Sequence, residues 1–165
     1  YINSLSEFIW IESSRNALKI LAQNGFSFIV ITNQAGVSLG KTAVSDLEAI
    51  HDQLRADFQS DGLTLLDIYV CTDHWNSKSK FRKPEPGMFF AAANRHKFRL
   101  DQVIYVGDDV RDGLAAGNAG CKSVRVGSDS LSESLDQSVL EVGKSLSDLV
   151  PTILETYDKW AELAL

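Results

Sequence analysis

Three β-favouring residues, Ile104-Tyr105-Val106, run into Gly107, and two carboxylates, Asp108 and Asp109, follow at once. A third, Asp112, arrives just before the Ala-rich segment Leu114-Ala115-Ala116 takes up a helical pattern. A strand that stops at glycine and restarts as a helix has few places in a fold. It belongs in a sheet whose carboxyl edge carries the acidic side chains, the edge at which open α/β sheets bind ligands. Clustered carboxylates repel one another, and a hard cation such as Mg2+ relieves that by taking their oxygens as ligands. The other use of such residues is to cap the helix that follows.

The rest of the chain repeats the same alternation. Ser13 and Ser14 are placed to cap a helix with Ala17, Leu18, Leu21 and Ala22 on one face, stopped by Gly25. Phe26–Ile31 reads as a buried strand ending in Thr32-Asn33-Gln34, and a Gly-punctuated loop leads to Lys41. A second helix is expected from Thr42 to Asp61, with Leu47, Ile50, Leu54 and Phe58 at helical spacing and Ser45 and Glu48 as a capping box. Gly62 stops it. Leu66–Cys71 is the next strand, Thr72–Pro86 a polar loop, and Gly87–Lys97 a third helix. Beyond the Ile104 strand come a helix after Asp112, Gly120, and a strand from Cys121 to Val126. Strands alternating with helices of this length pair in parallel, which predicts an α/β three-layer sandwich around a central parallel sheet.

A core of residues 1–127 is expected, with 128–165 as a linker and a C-terminal helix packing on it. In that tail Ser128–Gln137 is Ser- and Asp-rich, and Leu149, Ile153, Leu154, Tyr157 and Trp160 form an apolar stripe. Pro151 is compatible only with the first turn of that helix. A net charge of -6 argues against a general nucleic-acid surface. Cys71 and Cys121 are too few for a disulfide framework, and no apolar run is long enough to cross a membrane, so a cytoplasmic protein is expected.

Three polar clusters follow expected strands: Thr32-Asn33-Gln34, Arg82-Lys83-Pro84 and Gly107-Asp108-Asp109. In a parallel sheet they fall on one edge. A hydroxyl with backbone amides, an ammonium and an acidic metal pocket are what phosphoryl transfer requires, because negative charge gathers on the phosphate oxygens.

The order Thr-Asn-Gln, Arg-Lys-Pro, Gly-Asp-x3-Asp resembles the haloacid dehalogenase-like phosphatases, in particular the branch of heptose-bisphosphate and histidinol-phosphate phosphatases. The likeness runs from Tyr1 to about Gly127 and takes in Phe8, the Ala17–Gly25 helix, Thr32–Val37, Gly40-Lys41, Arg82-Lys83-Pro84-x2-Gly87-Met88 and Val106-Gly107-Asp108. It implies a Rossmann-type fold without a large cap domain and a Mg2+-dependent phosphomonoesterase acting on a phosphorylated sugar. Polynucleotide 3′-phosphatases share the same Thr-Asn-Gln and Arg-Lys-Pro patterns. By the resemblance, Thr32 binds a phosphate oxygen, with Asn33, Gln34 and Lys41 contacting substrate. Lys83 neutralises the phosphate and Arg82 meets the leaving group. Asp108 ligates Mg2+, Asp109 adds a second acidic contribution, and Asp112 caps the helix or orients the metal from behind.

The chain departs from the pattern in three places. The family nucleophile is the first Asp of an Asp-x-Asp-x-Thr motif on a central strand, and no such motif lies before Thr32. Family spacing puts it a little upstream of Tyr1, on a strand seated between the Thr32 and Asp108 strands. Loss of a mid-sheet strand would open a gap in the core, so a sequence that starts after the nucleophile of an aspartyl-phosphate mechanism is expected; a non-catalytic phospholigand-binding or scaffolding domain is the alternative if the motif is truly absent. The Cys-x-His…Cys-x-Cys zinc loop of close relatives is replaced by Cys71–Phe81, where one thiol and one displaced His74 cannot build a tetrahedral site. No structural zinc is expected, and Trp75 and Phe81 are expected to pack the loop instead. Leu39 stands where relatives often carry Arg.

Overall fold

A computed structural model of the chain describes residues 2–128 and 137–164. The chain divides into two compact units, Tyr1–Arg82 and Lys83–Leu165.

In the first unit, α1 (Glu12–Gln23), β1 (Phe28–Asn33), α2 (Val44–Ser60) and β2 (Leu65–Cys71) follow in turn. β1 and β2 pair in parallel, with Thr32 opposite Val70 and Asn33 opposite Cys71, so their carboxyl ends share an edge. Gly25 and Gly62 end the two helices as expected, at φ +87° and +71°. At each, the next residue reaches back across the last turn: Phe26 N donates to Leu21 O at 3.2 Å and Leu63 N to Phe58 O at 2.8 Å. This closure uses up Phe26, and β1 therefore starts two residues later than expected and carries Thr32 and Asn33 within the strand. The helix starts correct the expected caps. Ile11 precedes α1 and Ala43 precedes α2, neither with a side-chain bond, and Ser13, Ser14 and Ser45 already lie inside the first turns. A line of rings ties the N-terminal segment to α2 and β1. Phe8 meets Trp10 at 5.9 Å, Trp10 meets Phe58 at 6.0 Å, and Phe28 meets Phe58 at 5.8 Å. The Trp10 indole donates to Asp57 Oδ2 at 2.7 Å, which satisfies its polar end.

The second unit contains α3 (Gly87–His96), β3 (Ile104–Gly107), α4 (Val110–Ala119), β4 (Lys122–Val126), β5 (Val139–Gly143) and α5 (Leu146–Leu163). Its sheet has the order β3-β4-β5, parallel throughout, with Gly107 opposite Arg125. Buried Ala92, Ala115, Ala116 and Ala119 put small side chains on α3 and α4, where the two helices pack together. Strand β5 was not expected: its apolar run is short and follows the Ser-rich segment, of which 129–136 lie outside the described residues. The tail thus adds a strand to the sheet as well as the expected helix, and α5 packs on β5 and β4 through buried Leu149 and Ile153. Ser145 and Asp148 cap α5 reciprocally. Because the cap falls at Ser145, Pro151 lies beyond the first turn, where it removes a backbone donor.

The α/β class and parallel pairing are as expected. The strands form two sheets, however, and β1 and β3, which the resemblance seats on either side of a nucleophile strand, belong to different ones.

Candidate active site

The end of β3 is built around Asp112. Gly107 has no side chain, and a Cβ there would fall 2.3–2.5 Å from Asp112 Cβ, Cγ and Oδ2. That vacancy lets the Asp112 carboxylate fold back over the strand end, where Oδ2 accepts from the backbone amides of Asp108 (3.1 Å) and Asp109 (3.2 Å). Its other oxygen, Oδ1, takes the Lys83 ammonium at 2.7 Å. Lys83 also donates to the Tyr105 hydroxyl at 2.9 Å. Burial works against the charge on Lys83, but Tyr105 and Asp112 outweigh it and hold its pKa above the ordinary lysine value. Asp112 is 7% exposed, so this is a buried pair whose polar atoms are satisfied from several sides.

The three carboxylates have separate duties. Asp109 is the N-cap of α4, and it forms a capping box with Asp112 at the third helical position. It accepts from Arg111 N (2.8 Å), Arg111 Nε (2.9 Å) and Arg111 Nη2 (2.7 Å). The Arg111 hydrogen bonds hold its pKa down at about 2. Both of its oxygens are engaged by Arg111. Asp108 is exposed, and its carboxylate makes no hydrogen bond or ion pair with a described residue. Among the described residues no group of three or more His, Cys, Asp and Glu side chains could hold a metal ion. Asp108 thus fits as one oxygen ligand to Mg2+, while the residues present do not make a complete site.

The end of β1 is built differently. Gln34 N donates to Cys71 O at 2.7 Å, fastening the turn to the end of β2. The Gln34 side-chain amide donates to Thr32 Oγ1 at 3.1 Å, which leaves the Thr32 hydroxyl proton to be given elsewhere. Beyond it the loop doubles back: Gly36 O accepts from Lys41 N (2.8 Å) and Thr42 N (3.1 Å). A Cβ on Gly36 would stand 2.4 Å from Thr42 Oγ1, itself bonded to Asn3 Oδ1 at 2.8 Å. Thr32 and Asn33 are half-buried, and Lys41 is exposed. In the same unit Arg82 Nη1 donates to the Asp73 carbonyl at 3.1 Å. In the loop after β2, Cys71 Sγ donates to Asp73 Oδ2 at 3.6 Å and His74 stacks on Trp75 at 4.1 Å. Trp75 and Phe81 are more than half exposed, at 52% and 53%, so Trp75 packs the loop through His74 at its surface and neither ring is buried.

Tyr105 escaped the sequence reading. The signal was there: it lies two residues before Gly107, on the same face of the strand, and so points to the space that Gly107 leaves open.

The model of the polynucleotide kinase 3 phosphatase family matches residues 2–129. The chain belongs to that family. It is a phosphatase of the haloacid dehalogenase-like superfamily, with that superfamily's fold. It is 33% identical over 149 residues to D-glycero-beta-D-manno-heptose-1,7-bisphosphate 7-phosphatase of Pseudomonas putida, covering 90% of this chain and 85% of that protein. It is 32% identical to D-glycero-alpha-D-manno-heptose-1,7-bisphosphate 7-phosphatase of Mycobacterium tuberculosis, over 77% of this chain and 70% of that one. The crystal structure of D,D-heptose 1,7-bisphosphate phosphatase from B. bronchiseptica, complexed with magnesium and phosphate, superposes with a TM-score of 0.83. Identity there is 28%, over 94% of this chain and 89% of that one. No helix among the described residues is long and apolar enough to cross a membrane.

Proposed function

We propose that this phosphatase releases inorganic phosphate from a phosphorylated sugar in the cytoplasm, with D-glycero-D-manno-heptose 1,7-bisphosphate as its substrate. The observation that carries the chemistry is that one carboxylate, Asp112, holds the Lys83 ammonium and the backbone amide of Asp108, whose own side chain is exposed. The names of the relatives support the sugar. Each residue then has a task its surroundings favour. Thr32, whose oxygen already accepts from Gln34, donates its hydroxyl proton to a phosphate oxygen. Asn33 and Lys41 contact the substrate, and Arg82 faces the leaving group. Lys83 offsets the charge that gathers on the phosphate as the ester bond breaks. Asp108 would give one oxygen to Mg2+, which would neutralise phosphate charge when bound. The attacking Asp of the family belongs to a motif that these 165 residues do not contain.

The description of the matching family favours a second substrate, a 3′-phosphorylated polynucleotide. A net charge of -6 weighs against it. The natural protein bearing this chain, incubated with Mg2+ and each substrate in turn, decides between them by phosphate release. We expect kcat/KM for the heptose bisphosphate to exceed that for a 3′-phosphorylated oligonucleotide by at least about 100-fold. The reverse order would replace the sugar with the polynucleotide, and release from neither would end both.

A further inference from the structure

A lysine ammonium is a mobile point charge on a long flexible stem, unlike the flat fork of arginine. Asp112 alone would let Lys83 pivot about one oxygen. The described structure supplies a second anchor: the Tyr105 hydroxyl, 2.9 Å from Lys83 Nζ, with the ammonium also 5.3 Å from the centre of the tyrosine ring. Two attachments in different directions fix the charge where one would not. Tyr105 is itself held. Phe89, from the helix that follows Lys83 in sequence, meets its ring edge-on at 4.9 Å and 66°. Strand alternation puts Tyr105 and Gly107 on one face of β3, so a single strand face supplies both the second anchor and the opening into which Asp112 folds.

We infer that Tyr105 is a positioning residue for Lys83, fixing its ammonium in the place where it meets the transferred phosphoryl group. This rests on the reading of Lys83 as the phosphate-neutralising cation. An interaction that strengthens as charge develops appears in kcat more than in KM. Tyr105→Phe keeps the ring and the Phe89 contact, and removes only the hydroxyl.

The test uses the natural protein in two readouts. In steady-state hydrolysis of the heptose bisphosphate, Tyr105→Phe lowers kcat about tenfold and changes KM less than about twofold. In NMR of the Lys83 ammonium group, the variant loses the sharp, slowly exchanging Nζ signal expected of the natural protein, while thermal unfolding shifts little. Phe89→Leu, which loosens the ring but leaves the hydroxyl, gives the same changes in smaller degree, and serves if Tyr105→Phe does not fold. An unchanged Nζ signal and unchanged kcat in folded Tyr105→Phe would overturn the inference. The NMR readout needs no turnover: if the natural protein hydrolyses neither substrate but Tyr105→Phe still frees the ammonium, the substrate proposal fails and the anchoring stands.

Discussion

The two strand ends at which the expected site residues cluster are held by opposite means. At the end of β3 a buried carboxylate, Asp112, gathers two backbone amides and the Lys83 ammonium into one tight unit. At the end of β1 the groups are neutral, and Thr32 is held by a single side-chain amide. A charged anchor in a dry setting fixes geometry strongly and fails badly when one member is lost, because the others are left buried and unpaired. A neutral one is forgiving. The acidic strand end is therefore a scaffold that presents Asp108 and Lys83, and the neutral one is an adjustable contact.

The largest effect should come from Asp112→Ala, which leaves Lys83 buried without its counter-charge. A loss of about 3–5 kcal/mol in denaturant unfolding is expected. A loss below about 1 kcal/mol would show that Asp112 is no anchor. Gly107→Ala attacks the same unit from the strand side, since its Cβ would occupy the place of the Asp112 carboxylate. A cost of about 2–3 kcal/mol is expected, with Lys83 displaced in a crystal structure of the variant. At the other strand end, Gln34→Ala should cost less than about 1 kcal/mol, and kcat/KM should fall by about threefold as the Thr32 hydroxyl loses its orientation. A stability cost as large as that of Asp112→Ala would erase the contrast.

The smallest effect concerns acid. Asp109 has its pKa held at about 2 in the folded chain, below its unfolded value. Its contribution is therefore present above about pH 4 and is lost as pH falls through about 2. Because its side chain is 42% exposed, the contribution is below about 1 kcal/mol. Asp109→Ala should flatten the fall in stability across that window slightly, and leave stability between pH 4 and 2 no steeper than in the natural protein.

Much of this was legible in the sequence. The alternation of apolar runs with glycine stops gave the helices and four of the strands, because backbone stops and side-chain period are local properties. Caps were less legible. Ser13, Ser14 and Ser45 are good capping types two or three places too late, whereas the boxes that form, Asp109 with Asp112 and Ser145 with Asp148, are fixed by where the chain leaves its strand. Strand β5 was hidden because its short run, Val139–Gly143, gains its stability from β4 and α5 rather than from its own pattern. The division of labour among Asp108, Asp109 and Asp112 lay beyond spacing altogether. It depends on the space over Gly107 and on Arg111 reaching back to Asp109, both tertiary facts.

Arg125 marks a contrast within the second unit. It is 5% exposed, and its Nη2 atom has no hydrogen-bond partner among the described residues, whereas Lys83 is held by Asp112 and Tyr105. Arg125→Leu should be neutral or raise stability, as for a buried charge without full compensation, while Lys83→Leu should lower kcat/KM. A large loss of stability in Arg125→Leu would break that contrast.

The most direct measurement is Asp108→Asn in the natural protein, read both for hydrolysis at saturating Mg2+ and for unfolding free energy. A scaffold made by Asp112 and a reactive face made by Asp108 predict that hydrolysis falls by at least about 1,000-fold while stability stays within about 0.5 kcal/mol. Unchanged hydrolysis, or a loss of stability to match that of Asp112→Ala, would contradict it.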